Sequence, residues 1–330
     1  MTDLFGLFQS LGAVTGAPGI FPVRKIPVFP HAWVGRDEQS LPVLIVETVS
    51  DGSVTSPIVL RNLRFDIWQS CTLSEQPSQV RRTIQAGIIR LTTDEPELQV
   101  YFFRTLGSLL TQWPNHPSQT ELARGVDRLV EIFRSLTLPP ATSLQGLWAE
   151  LLLVRHAIKT ADAVQAWHTT RRSLFDFDAG QQSVEVKSSS SGLRKHHFRL
   201  AQIQPPDGRI VYVVSLIVTP DSSGQSIPDL WDGIAAQLHG QQDLVARLSE
   251  VIAQSIGIDW QRAGEARFDA LAARRSIAIF DARSLPRVGD DAAPEITDVH
   301  FTADLSRCAP LDRSALAQAG GLINILLGTS

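Results

Sequence analysis

Residues 175–187 read FDFDAGQQSVEVK and contain the strongest structural signal in the sequence. Two runs of alternating apolar and polar residues flank Ala179-Gly180, and this pattern predicts a β-hairpin with those two residues as its turn. Alternation along the strands assigns the apolar residues to one face: Phe175, Phe177, Val184 and Val186. It assigns the polar residues to the other face: Asp176, Asp178, Ser183, Glu185 and Lys187. One face is a predicted core, and the other gathers three carboxylates and an amine.

The polar face has the groups that metal-assisted hydrolysis of a phosphodiester needs. Asp176 and Glu185, on neighbouring strands, can hold Mg²⁺, which prefers oxygen ligands. Such a metal polarises the phosphodiester and lowers the pKa of a bound water. Lys187 points to the same side and can orient or deprotonate that water, or stabilise developing charge. The alternative is a solvated amphipathic hairpin in which Glu185 and Lys187 form a surface pair.

The use of lysine supports the functional interpretation. The chain has four lysines among its 30 basic residues, and three of the four lie between positions 159 and 195. A guanidinium is permanently charged, whereas an ammonium can give up its proton. A site at Lys187 that needs an amine would explain why arginine is not used there. Compositional bias with chance clustering is the other explanation.

A further carboxylate lies on a predicted helix that Thr142 or Ser143 can cap and that runs to about Ile158. Glu150 has mostly apolar residues one turn before and one turn after it. A carboxylate on such a face is costly unless a metal, a lysine or a water pairs with it. The alternative is a glutamate that reaches out from the helix edge or pairs with an arginine.

A serine-rich loop, Ser188 to Gly192, leads into the basic segment LRKHHFR at 193–199. A flexible loop followed by cations suits contact with phosphates, although a solvated loop would look the same. The adjacent His196 and His197 are poorly placed to chelate one zinc ion. The formal net charge of −4 does not exclude DNA, because basic residues lie beside the predicted site: Arg171, Arg172, Arg194, Lys195 and Arg199.

Composition excludes several other classes of protein. With 330 residues, of which 43% are hydrophobic, the chain is long and apolar enough for one large or two ordinary globular domains. The sequence has no apolar run of 18 residues, so no membrane span is predicted. It has two distant cysteines and no C-x-x-C pair, and it lacks a positively charged leader. We therefore expect a cytoplasmic protein without structural zinc.

The remaining pattern predicts an α/β protein. Strands dominate from 32 to 100, and helical periodicity runs from 100 to 136 with a break at 113–117. Short strands are predicted at 164–167, 173–178 and 183–188. The apolar run at 210–218 predicts a strand buried on both faces, and 220–228 a polar loop.

These residues resemble the PD-(D/E)XK nuclease superfamily, in Asp176, Glu185-Val186-Lys187 and the helix that carries Glu150. The longer pattern looks like a bacterial family of PD-(D/E)XK motif proteins encoded beside restriction or phage-defence genes. It comprises Gly146 to Leu151, Asp176-Phe177, Glu185 to Lys187, Arg194, His197 and Gln202, with Trp33 to Asp37 near the N-terminus. The chain departs from the superfamily motif in one place, where Phe175 stands instead of proline.

The resemblance implies an α/β fold with a restriction-endonuclease-like PD-(D/E)XK core, a mixed sheet flanked by helices. We expect a β-rich N-terminal unit followed by helices at 1–140, the core at 141–225 and an α/β C-terminal extension at 226–330. The implied catalytic residues are Asp176, Glu185, Lys187 and Glu150, with Asp176 and Glu185 as ligands of Mg²⁺ or Mn²⁺. The implied DNA-binding residues are Arg194, Lys195, His197 and Gln202.

The leading hypothesis is a Mg²⁺-dependent DNA endonuclease in a bacterial restriction or phage-defence system. By resemblance, water attacks in line and leaves a 5′-phosphate and a 3′-hydroxyl. The expected partners are DNA, other proteins of the defence system and, by analogy, a second copy of the chain. A non-catalytic DNA-binding or assembly subunit is the main alternative, and a metal-free protein-interaction module is the third.

Overall fold

The computed structural model describes residues 3–12, 19–53, 56–170, 173–205, 208–287 and 298–328. The chain divides into two compact units, Met1–Pro139 and Pro140–Ser330. The finer three-part division expected from the sequence stays a prediction. Among the residues that the structure describes, no helix has both the length and the apolar character to cross a membrane.

The first unit is built around a curved β-sheet. Its strands are β1 Ile20–Ile26, β2 Phe29–Arg36, β3 Pro42–Glu47, β4 Ile58–Val59, β5 Leu63–Glu75 and β6 Val80–Leu91. The strand order is β1-β2-β3-β6-β5-β4, and β1 also pairs parallel to β5, which closes five of the strands into a ring. Apolar residues fill its core, among them Val23, Trp33, Ile45, Leu73 and Ile88.

The helices of the first unit are α1 Leu4–Gln9, α2 Pro96–Leu109 and α3 Gln119–Ser135. The predicted break in helical periodicity is present between α2 and α3. A capping box starts α3, because the Ser118 side chain accepts from the Glu121 backbone N–H and the Glu121 carboxylate accepts from the Ser118 N–H.

The second unit contains a mixed sheet whose strands are β7 Phe177–Ala179, β8 Gln182–Ser189, β10 Ile210–Ile217 and β13 Ala278–Asp281. The order is β13-β10-β8-β7, with β8 parallel to β10 and antiparallel pairing at both edges. The six central residues of β10 are buried, so the predicted doubly covered strand is confirmed. The fold is therefore mixed α/β, as predicted.

Further strands form two small ribbons: β9 Lys195–Arg199 with β14 His300–Asp304, and β11 Pro220–Ser226 with β12 Arg267–Phe268. The helices of this unit are α4 Leu144–His156, α5 Thr160–Ala166, α6 Leu200–Ile203, α7 Ile227–Gln237, α8 Gln242–Ile256, α9 Ala270–Arg275, α10 Arg313–Ala319 and α11 Gly321–Leu327. Ser143 caps α4 by accepting from the Gly146 N–H, which confirms the predicted helix start.

Several sequence predictions in this unit differ from the structure, and one of them is the strand expected at 173–178, which begins only at Phe177. The strand expected at 164–167 is the end of α5, whose alanine-rich sequence favours a helix. The loop expected at 220–228 contains β11 and the start of α7. Most side chains of β11 are at least partly exposed, so no apolar alternation indicated a strand.

Candidate active site

The hairpin forms with a turn one residue later than predicted. Phe177 pairs with Val184 and Asp178 with Ser183, so Gly180-Gln181 is the turn. Gly180 has a φ of 59°, a conformation that glycine adopts without a steric cost. Moving the turn by one residue shifts the pairing by two, and the predicted polar face keeps its members.

The apolar side of the hairpin departs from the prediction at Phe175. Phe177 and Val184 are fully buried opposite each other, as expected. Phe175 is also buried, but it packs in a cluster with Val211 and Val213. Val211 pairs with Ser183 and Val213 with Glu185, both residues of the predicted polar face. Phe175 lies two residues before the first residue of β7, beyond Asp176, and the alternation of the strand does not reach it.

Asp176 is held close to β8 by a backbone contact. Its Oδ2 accepts from the Val186 N–H at 2.7 Å, and its carbonyl accepts from the His168 N–H at 2.8 Å. The pairing of β7 with β8, continued by one residue, places Asp176 opposite Glu185. The two predicted metal ligands therefore lie on neighbouring segments of one face.

Glu150 reaches the same site from α4. Its side chain is almost fully buried, and its Oε2 accepts from the Trp167 indole N–H and contacts His168 Nε2, both at 2.8 Å. One ligand atom each from Glu150, His168 and Asp176 lie within 4.8 Å of one another. The structure thus brings the predicted helix carboxylate to the hairpin.

Lys187 and Glu185 form an ion pair, with Lys187 Nζ 2.6 Å from Glu185 Oε1. The ammonium also lies 5.2 Å from the centroid of the buried Phe198 ring on β9. Glu185 Oε2 is buried and has no hydrogen-bond partner among the described residues. A buried carboxylate oxygen without a partner is costly, so this atom is a candidate ligand for a bound cation.

The electrostatics of the site reflect its surplus of carboxylates. Burial raises the pKa of Asp176 well above its ordinary value, and the charges of Glu185 and Glu150 raise it further. Burial also raises the pKa of Glu185, although Lys187 opposes that change. Burial alone would lower the pKa of His168, but the hydrogen bond and charge of Glu150 outweigh it and raise the pKa. A divalent cation would relieve this repulsion.

A comparison with known families gives one match. The family model described as "Putative PD-(D/E)XK family member, (DUF4420)" matches residues 31–306. The chain belongs to this PD-(D/E)XK family. No curated protein and no solved structure matched the chain. Membership confirms the resemblance to PD-(D/E)XK proteins and supports a nuclease-like function, whereas the link to defence genes stays a prediction.

Two of the four DNA-binding residues that the resemblance implies are occupied by contacts within the protein. Arg194 donates from its guanidinium to the Ser215 carbonyl at 2.7 Å, to Ser215 Oγ at 2.8 Å and to the Ser276 carbonyl. Gln202 is buried, and its amide group bonds to the Leu174 carbonyl at 3.1 Å and the Arg199 N–H at 3.0 Å. These contacts favour a structural role for both side chains.

The other two, Lys195 and His197, are exposed on β9, and His197 Nδ1 also lies 2.9 Å from Thr302 Oγ1 on β14. They alternate with the buried His196 and Phe198, so the outer side of this strand presents Lys195, His197 and Arg199 together. Burial and the neighbouring cations lower the pKa of His196 to about 4, which keeps it neutral beside Ser215 Oγ at 2.7 Å. Arg171 and Arg172 lie outside the described residues.

Trp167 and His168 were missed by sequence reasoning. They follow α5 and contact Glu150, which is 18 positions earlier than His168. No local spacing rule connects a helix residue to a loop so far along the chain. The apolar surroundings of Glu150 indicated that it needs a partner, but they did not identify which one.

Proposed function

We propose that the protein is a metal-dependent nuclease that hydrolyses phosphodiester bonds of DNA. The observation that carries the proposal is the buried Glu185 Oε2, which has no hydrogen-bond partner among the described residues and belongs to a group of three carboxylates and a lysine. The nuclease-like family of the chain gives independent support.

The residues fit a divalent cation. By the resemblance, Asp176 and Glu185 would hold it, and Glu150 would assist. Asp176 and Glu150 place ligand atoms within 4.8 Å of each other, and Glu185 lies near enough to Asp176 for its charge to raise the pKa of Asp176. Together they give the oxygen-rich set that Mg²⁺ and Mn²⁺ accept. Burial raises the pKa of both Asp176 and Glu185, and the charges of neighbouring carboxylates add to this effect, so a cation bound here would stabilise their charged forms. When bound, the ion would polarise the phosphodiester and lower the pKa of a bound water.

The surrounding side chains hold the reacting groups in place. Glu185 and the ring of Phe198 restrict the Lys187 ammonium, so its charge is fixed next to the carboxylates. From there it can orient the attacking water or stabilise negative charge that develops on the phosphate. Trp167 keeps Glu150 turned toward the site through the indole N–H.

DNA is the proposed substrate because exposed cations lie close in sequence and structure to the site. Phe198 contacts Lys187 from the buried side of β9, and Lys195 and Arg199 project from its exposed side. Exposed cations on a strand that contacts the site suit the binding of backbone phosphates. The proposal has three further parts. Action in a bacterial restriction or defence system and a homodimeric state rest on the resemblance, and a cytoplasmic location rests on the composition of the sequence.

The test is cleavage of supercoiled, linear and single-stranded DNA by the purified protein with Mg²⁺ or Mn²⁺. We expect wild-type protein to cleave and Lys187→Ala to lose cleavage while keeping its fold and DNA affinity. Cleavage that is equal in the two proteins, or absent from both with either metal, would refute the proposal. DNA binding without cleavage would favour the non-catalytic subunit.

A further inference from the structure

His168 lies beside Glu150 and Asp176, but the PD-(D/E)XK motif does not account for it. Its Nε2 lies 2.8 Å from Glu150 Oε2, and it shares the 4.8 Å cluster with Asp176. Its side chain is 26% exposed, so the ring can be reached from solvent. Glu150 already has an orienting donor in Trp167, whose indole can donate a hydrogen bond but cannot bind a metal.

The backbone of His168 is held in an uncommon conformation. Its φ is 39°, in the left-handed region that costs conformational energy for a residue other than glycine. Arg247 on α8 donates to the carbonyls of Val164 at 3.1 Å, Trp167 at 2.6 Å and His168 at 3.2 Å. The His168 N–H donates to the Asp176 carbonyl. Four hydrogen bonds therefore fix the short segment that directs this ring at the carboxylates.

We propose that His168 supplies a nitrogen ligand to the metal centre, so that the centre prefers Mn²⁺ to Mg²⁺. The inference rests on the proposed metal site. Mg²⁺ favours oxygen ligands and water, whereas imidazole binds transition metals well. The Nε2 atom and Glu150 Oε2 are hydrogen-bonded neighbours, so a cation bound to both replaces that hydrogen bond. A histidine needed only to orient Glu150 would duplicate Trp167.

The first experiment detects the nitrogen directly. Mn²⁺ is added to metal-stripped full-length protein, and pulsed electron paramagnetic resonance records coupling to ¹⁴N of an imidazole. We expect the coupling in wild-type protein and in Trp167→Phe, which removes the other Glu150 donor but no ligand. We expect its loss in His168→Gln, which keeps an N–H able to bond Glu150. Coupling that is absent from wild-type protein, or that survives in His168→Gln, would overturn the proposal.

The second experiment measures the preference by titration calorimetry of Mn²⁺ and Mg²⁺. Wild-type protein should bind Mn²⁺ at least about tenfold more tightly than Mg²⁺. His168→Gln should weaken Mn²⁺ binding by about 10- to 100-fold and leave Mg²⁺ binding nearly unchanged. An equal loss for both metals would show that His168 only positions Glu150, and would overturn the proposal.

Two controls keep the result interpretable. His168→Asn is measured beside His168→Gln, because asparagine tolerates the left-handed backbone better, and circular dichroism establishes that each variant is folded. DNA cleavage is measured separately. A normal ¹⁴N coupling without cleavage would count against the nuclease function and support the ligand role of His168, whereas cleavage with Mn²⁺ but without ¹⁴N coupling would overturn only the ligand role.

Discussion

The two ends of the polar face of the hairpin contain the same kinds of residue but differ in how their charges are balanced. Near the turn, Asp178 Oδ1 accepts from Arg209 at 2.7 Å and from Ser183 Oγ at 2.5 Å. The carboxylate there has a guanidinium and a hydroxyl as partners. This end, which we call the turn cluster, is a satisfied polar contact that needs nothing further.

At the other end, the carboxylates outnumber the available cations. Three carboxylates, those of Asp176, Glu185 and Glu150, share the cation of Lys187 and the half-buried His168. One Glu185 oxygen has no partner among the described residues. We call this end the carboxylate cluster. The two ends lie on the same face, so their position does not distinguish them. They differ because only the carboxylate cluster has buried charge without enough opposite charge, which is typical of functional sites.

The largest expected effect is on cleavage when a carboxylate of the cluster is neutralised. Asp176→Asn and Glu185→Gln should each lower the rate of DNA cleavage by about 10³-fold or more, since a metal supplies several kcal/mol of charge stabilisation. Asp178→Asn, the matched change in the turn cluster, should change the rate by less than about threefold. Single-turnover cleavage rates measure all three, and similar losses in all three would remove the distinction between the two ends.

Lys187 should show the next largest effect. Lys187→Arg keeps a positive charge but loses the compact ammonium, and we expect the cleavage rate to fall by about 100-fold with unchanged DNA affinity. The cleavage rate of Lys187→Ala should fall by at least as much. Full activity in the arginine variant would show that only the charge is needed, contrary to the argument from the scarcity of lysine.

The two ends should also differ in the sign of their effect on stability. Without metal at neutral pH, Asp176→Asn should raise the melting temperature, because it removes a buried repulsive charge and can still accept from the Val186 N–H. Asp178→Asn should lower the free energy of unfolding by about 1 kcal/mol, because it weakens the contact with Arg209. Thermal unfolding of metal-free protein measures both, and changes of the same sign would contradict the comparison.

The pH dependence of the first effect follows from the raised pKa of Asp176. Folding raises that pKa above its ordinary value of 3.8, so the native state binds the proton more tightly than the unfolded state. This contribution to stability is complete below 3.8 and is lost as the pH rises through the native pKa. The amount by which Asp176→Asn is more stable than wild-type protein should therefore be absent near pH 3.8 and should grow toward neutral pH. A constant difference across that range would contradict the assignment.

The smallest expected effect is on DNA binding. Lys195→Ala removes a cation from the exposed side of β9, and the slope of log K against log salt concentration should become shallower by about one unit if it contacts a phosphate. Lys159→Ala, which removes another exposed lysine near Asp162, is the matched control. Fluorescence anisotropy at several salt concentrations measures both. Equal slopes for the two variants would place the DNA elsewhere.

The sequence predicted those features of the site that depend on local periodicity. Alternation with a period of two residues predicted Asp176, Glu185 and Lys187 on one face. The turn lies one residue later than predicted, which shifts the strand pairing by two residues. A shift by an even number of residues leaves each side chain on its predicted face. The capped helix that carries Glu150 was predicted from its start signal. The buried β10 strand was predicted from its apolar run, which only Ser215 interrupts.

Features that depend on long-range contacts could not be predicted. His168 joins the site through a left-handed backbone and the clamp of Arg247, which is 79 positions away from it. The bonds of Arg194 to Ser215 and Ser276, on other elements, are likewise not visible in the basic segment 193–199. A basic residue in a sequence has the charge to bind a phosphate. Only the fold shows whether that side chain already forms hydrogen bonds within the protein.

The most direct test of the account is the position of bound Mn²⁺ in crystals of the protein, located by anomalous scattering. The account predicts a peak at the carboxylate cluster, in contact with Asp176 and Glu185, and no peak at Asp178 beside Arg209. Crystals that contain Mn²⁺ with no peak at Asp176 and Glu185, or with a peak only at the turn cluster, would contradict it.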